Sequence, residues 1–148
     1  MKQLRKHSVA LIVRDNEGRV LAVQRPVEDE LGAVWGFPAA SKEKKDETWE
    51  HVARRVASEK LGVSIELGKC LGEDVDNRGD YFLTLRDYEA TIASGEVVVP
   101  QTSSLAKGTQ YTKHMWVDDL SIFIPAAKNH SVCTRIFLDS ENIDWKNS

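Results

Sequence analysis

Along the first quarter of the chain the apolar residues come in short runs cut by turn-forming residues. Residues 7–13 (HSVALIV) and 19–24 (RVLAVQ) are β-rich. Between them, Asp15-Asn16-Glu17-Gly18 offers an Asn and a Gly that accept left-handed turn geometry, which predicts a hairpin. A polar loop over 26–32 leads to Val34-Trp35-Gly36-Phe37-Pro38, a short aromatic strand that proline stops from continuing as a ladder. A charged loop over 41–46 follows.

From Thr48 the period becomes helical. Trp49, Val52, Ala53, Val56 and Ala57 fall on one face, with Glu50, Arg54, Ser58 and Glu59 on the others. Asp46 or Thr48 is placed to cap this helix, and Gly62 after Leu61 supplies a left-handed stop. Beyond it, 63–71, 80–91, 96–99 and 109–117 read as strands separated by Gly, Asn or Ser, and a second helix is expected over 131–138. Strands on both sides of a helix, with another helix late, describe an α/β sandwich around a mixed sheet.

Length and composition narrow the picture. The 148 residues fit one domain, 1–148, with no repeat, low-complexity tract or linker. Apolar residues at 41% and charged residues at 29% suit a globular chain and exclude a disordered one. A formal charge of −3 argues against duplex nucleic acid as a partner, although Lys42, Lys44 and Lys45 could meet a phosphate or an RNA. The apolar run over 9–13 is too short for a signal peptide, so a cytoplasmic location without membrane attachment is expected. Cys70 and Cys133 stand alone in apolar surroundings and read as buried packing residues. His7, His51, His114 and His130 are too scattered to suggest zinc.

The stretch 35–63, WGFPAASKEKKDETWEHVARRVASEKLGV, resembles the Nudix box, G-x5-E-x7-R-E-U-x-E-E-x-G-U with U apolar. Aligned without a gap it matches at Glu47, Arg55, Ala57, Glu59, Gly62 and Val63. The departures are Ala40-Ser41 in place of two glycines, Val56 in place of the Glu after Arg, and Lys60 in place of the second Glu of the pair. The resemblance implies the Nudix fold, an α/β/α sandwich around a mixed β-sheet. It also implies hydrolysis of a nucleoside diphosphate linked to another group, a nucleotide-type small molecule, by a domain that could form a homodimer. It places Glu47, Arg55 and Glu59 in the catalytic centre, Arg55 and Glu47 forming a pair that ties loop to helix. Mg²⁺ or Mn²⁺ would be held by Glu59 and the backbone carbonyl of Ala40, and Arg25 would contact phosphates.

Several readings of single residues stay open. On a regular helix 56, 59 and 60 are neighbours, so a lone Glu59 could still recruit an ion together with the nucleotide, while an ammonium at 60 about 5 Å away opposes it by roughly 3 kcal/mol per unit charge at an effective dielectric of 20. Lys60 could instead grip a phosphate oxygen, or simply suit the helix C-terminus. Glu59 could be a metal ligand or a salt-bridge partner of Arg55. Trp35, Phe37 and Tyr81 could stack on a base or belong to the core. Glu50, Glu89 and Glu96 are candidates for a general base, and Gln110-Tyr111 stand where relatives often place a further acid. The alternative to a hydrolase is a Nudix-fold module that binds a nucleotide or a protein partner without cleaving it.

Overall fold

A computed structural model describes residues 4–26, 34–101 and 110–147; the expected loop at 26–32 and the start of the strand at 109–117 lie largely outside them. Among the described residues seven strands are present: β1 (Leu4–Val13), β2 (Val20–Gln24), β3 (Trp35–Gly36), β4 (Ala39–Ser41), β5 (Ser64–Asn77), β6 (Tyr81–Ser94) and β7 (Lys113–Val117). Helix α1 (Trp49–Val56) continues into a widened π-type turn over Ala57–Leu61, and a 3-10 turn at Leu120–Phe123 leads into α2 (Ile124–Lys128) and α3 (Val132–Ser140). No helix among the described residues is long and apolar enough to cross a membrane.

The strands form two sheets. One has the order β4-β1-β6-β5, with β1 and β6 parallel and the other pairs antiparallel; the other is the antiparallel β3-β2-β7. β1 is buried on both faces, which is why its apolar run does not alternate. Val9, Leu11 and Val13 pack against Val52, Val56 and Leu61 of the first helical segment, while Ala10 and Ile12 face the cluster of Phe123, Ile136 and Phe137. In that second cluster Phe37 stacks on Phe123 at 4.4 Å and meets Phe137 edge-on at 5.1 Å. Helices therefore cover opposite faces of a mixed sheet, the expected α/β/α arrangement.

The predicted hairpin is corrected. Its turn forms: the Asp15 carboxylate accepts the backbone N–H of Glu17 and of Arg19 at 2.9 Å, and Gly18 takes the left-handed conformation at φ 79°. The strands on either side then part after a single bridge between Arg14 and Val20. One edge of β1 is taken by β6 along its whole length and the other by β4 over Ser8–Ala10, with the Leu11 N–H bonded to the Pro38 carbonyl, and β2 enters the other sheet.

Thr48, not Asp46, caps α1, its hydroxyl accepting the His51 N–H at 3.0 Å. Gly62 closes the widened turn at φ 73°. The strand expected at 63–71 runs on to Asn77 and pairs with β6 through an irregular stretch around Leu67, Cys70 and Gly72. Cys70 lies on this edge strand and is exposed, against the expectation of a packing residue; Cys133 is buried as expected. Residues 96–99 form no strand: Val98 N–H bonds the Leu61 carbonyl at 3.0 Å, and Val97 and Val99 pack onto the α1 cluster as Pro100, with no N–H to give, follows. The late helix begins at Val132 behind Ser131, close to its expected start.

Candidate functional site

A cavity of about 410 Å³ opens where the C-terminal end of the first helical segment, the β3–β4 region and the start of α3 meet the sheet. Its apolar wall includes Phe37, Leu83, Leu85, Val132 and Cys133, and its charged lining consists of Arg25, Arg55, Lys60, Arg78, Glu43 and Glu59. Leu83 and Leu85 reach it because alternate residues of β6 share a face.

Arg55 organises the polar side. Its guanidinium donates to both oxygens of Asp46, the shortest contact being Nη2 to Oδ2 at 2.9 Å, and also to the Ser41 carbonyl at 2.6 Å and to Glu59 Oε1 at 3.2 Å. Asp46 is 1% exposed. Burial pushes its carboxyl up, but the hydrogen bonds from Arg55 and from the Glu43 N–H outweigh burial and hold it below the usual carboxylate range. Arg55 is itself raised above its ordinary value, with burial opposing and Asp46 prevailing.

The partner expected for Arg55 is thus off by one. Glu47 is exposed and does not line the cavity. The tight turn in which Asp46 N–H bonds the Glu43 carbonyl swings residue 46 inward and leaves 47 facing solvent before the Thr48 cap.

The NUDIX domain family model matches residues 4–117. The chain belongs to the NUDIX family. None of the curated proteins matches it. Among solved structures, the Escherichia coli ORF135 protein is similar with a TM-score of 0.67 at 17% identity, over 94% of this chain and 92% of that one. The MutT protein from Methanosarcina mazei Go1 gives 0.66 at 17% identity over 96% of each chain. A NUDIX hydrolase from Nitrosomonas europaea gives 0.69 at 14% identity, over 93% of this chain and 88% of that one. At such identities the likeness is one of fold.

Within this NUDIX chain the box departures have definite surroundings. Val56 is fully buried among Val9, Leu11, Ala53 and Leu61, so the position belongs to the core. Glu59, 9% exposed, lies between two protein cations, Arg55 at 3.2 Å and Lys45 at 3.7 Å. Lys60 is 6% exposed and lines the cavity. Burial lowers its pKa; Glu59 opposes that shift, and the nearby Arg55 and Arg25 charges add to it. Arg25 lines the cavity, and Ala40 lines it beside Ser41.

The remaining expectations separate. Trp35 packs against the aromatic cluster and does not line the cavity, so a stacking role there has no support in the geometry. Glu89 pairs with Arg14 at 3.1 Å, Glu50 with Arg54 at 3.5 Å, and Glu96 is exposed; none of them reaches the cavity. Tyr111 is 3% exposed, and its hydroxyl accepts the Ala39 N–H at 2.9 Å, so it pins β4. Glu43 and Arg78 were not singled out from the sequence as site residues, and Asp46 was read only as a helix cap. The one signal for Asp46 was its place next to the box glutamate.

A divalent ion, implied by the family, finds a poor fit. Among the described residues no group of three or more His, Cys, Asp or Glu side chains is placed to hold one. The carboxylate at 59 is already compensated, and its neighbour at 60 is an ammonium.

One further buried group stands near the cavity wall. Asp87 follows Leu83 and Leu85 on the same face of β6, is 0% exposed, and neither carboxylate oxygen has a hydrogen-bond partner among the described residues. Burial drives its pKa well above the usual carboxylate range. Burial and the Asp87 charge together push the Cys133 thiol up to about 11.

Proposed function

We propose that this NUDIX chain binds a nucleoside diphosphate linked to a second group. The observation that carries the reading is the cavity itself, in which Arg25, Lys60 and Arg78 share one space with an apolar wall of Phe37, Leu83, Leu85 and Val132. Its volume of about 410 Å³ suits a small organic ligand, and guanidinium and ammonium groups match phosphate oxygens. Calorimetric titration with ADP-ribose, ADP, a nucleotide sugar and unphosphorylated adenosine tests it. Binding of the phosphorylated compounds and a large loss with adenosine is expected. Equal affinity for adenosine, or no binding across the panel, refutes the reading.

A second reading, cleavage of the diphosphate, is favoured by the presence of Glu59 in the same cavity and by membership of a family of hydrolases. The assay is turnover of nucleoside triphosphates, ADP-ribose, dinucleoside polyphosphates and nucleotide sugars with Mg²⁺ or Mn²⁺ added. Turnover no greater than that of Glu59→Gln eliminates it.

A further inference from the structure

We propose that Arg78 receives an anionic group, a carboxylate or a phosphate, on the far side of the ligand's second moiety, so that the cavity selects nucleoside diphosphates whose linked group carries a negative charge of its own. This rests on the reading of the cavity as the site of a diphosphate-linked ligand and names the class of linked group.

The cationic side chains of the lining come from two separate places. Arg55 and Lys60 belong to the first helical segment, Arg55 donates to the Ser41 carbonyl at 2.6 Å, and the charges of Arg55 and Arg25 both act on Lys60. These three stand together. Arg78 comes instead from the turn between β5 and β6. Strand register sets the separation: Ser41 pairs with Ser8, Ser8 pairs with Leu85, and β6 begins only at Tyr81, just past Arg78. The four residues from Leu85 back to Tyr81 are about 13 Å of strand, and the two strand spacings from β4 to β6 add roughly 10 Å across the sheet. Leu83 and Leu85 line the cavity between the two places. That apolar wall suits the body of a linked group and not a run of phosphate oxygens.

The turn fixes where Arg78 starts. Its N–H bonds the Tyr81 carbonyl at 2.9 Å, and the Asn77 side-chain oxygen accepts the Gly79 N–H at 2.9 Å. Asp76 Oδ2 lies 2.9 Å from Arg78 Nε, with both side chains about a third exposed, a pair that stabilises little and that leaves the two Nη nitrogens with donors for a ligand. Neither Asp76 nor Asp80 lines the cavity, so the charge this turn presents to a ligand is the guanidinium. A planar fork of donors matches the oxygens of a carboxylate or a phosphate.

The test is calorimetric titration of the full chain with two pairs of probes, UDP-glucose against UDP-glucuronate and ADP-ribose against ADP-ribose phosphate. The second member of each pair adds negative charge to the linked sugar, as a carboxylate in one and a phosphate in the other. The anionic member of at least one pair should bind about tenfold tighter, and Arg78→Ala should remove that preference while holding the neutral member within about twofold. Arg78→Lys should keep part of it, as a point charge without the fork. Wild-type protein that binds both members of each pair alike overturns the inference and leaves the diphosphate reading standing. So does an Arg78→Ala protein that keeps the preference or weakens both members equally. Absence of binding by all four compounds overturns the reading underneath. Should Arg78→Ala fail to fold, Arg78→Gln, which keeps the stem and loses the charge, takes its place.

Discussion

Replacing Asp87 by asparagine should stabilise the protein at neutral pH, by an amount that grows with pH. In the folded chain the carboxyl is 0% exposed with no hydrogen-bond partner among the described residues, and burial raises its pKa well above the usual carboxylate range. In the unfolded chain it titrates near 3.9. Below that value both states hold the proton and the group makes no difference to stability. Above it the unfolded state releases the proton while the folded state retains it, so stability falls with rising pH by about 1.4 kcal/mol per unit. The decline ends only where the folded carboxyl itself ionises. Asparagine keeps the shape and leaves a buried amide that costs about 1–3 kcal/mol at every pH, so the cost cannot mimic the slope. Urea unfolding of both proteins at pH 4.5, 5.5 and 6.5 measures the difference, in which all other titrating groups cancel. A gap that widens by about 1.4 kcal/mol per unit supports the argument. A gap constant across that range refutes it and means that Asp87 is ionised in the fold.

Three other outcomes follow from the same structure. Asp46→Asn should cost about 3 kcal/mol by thermal or urea unfolding because it strips Arg55 of its buried partner, while Glu47→Gln should stay within about 0.5 kcal/mol; comparable losses for the two would reverse the assignment of the Arg55 partner. Gly62→Ala should cost more than about 1 kcal/mol, since φ is +73° and a Cβ would sit 2.5 Å from the Gln101 side-chain nitrogen; an unchanged unfolding midpoint would contradict this. With a thiol-reactive probe at pH 8, Cys70 should react at once and Cys133, buried and raised to about 11, only after unfolding; prompt release of two equivalents from the native protein would show that the α3 face opens.

The sequence by itself determined the elements whose cause is local. The 3.6-residue spacing of Val52, Ala53, Val56 and Ala57, the Thr48 hydroxyl and the glycine at 62 specify the first helix and its end. The Asp15–Gly18 turn is likewise written in its own side chains. Arg55, Glu59 and Lys60 share the register of the box and Arg25 ends the second strand, and the cavity brings the four together. What only the tertiary structure decided depends on which groups lie across from one another. Whether 46 or 47 meets Arg55 turns on the four-residue turn from Glu43 to Asp46. Whether the strands flanking a good turn pair depends on which strands lie along β1, here β6 and β4. The widened helical turn buries Lys60 and leaves Glu59 between two cations, and the spacing of 56, 59 and 60 on an ideal helix could not report that. Local hydrogen bonding sets an element's type, but burial is a property of everything packed around it, and in this protein burial sets the charge of the site.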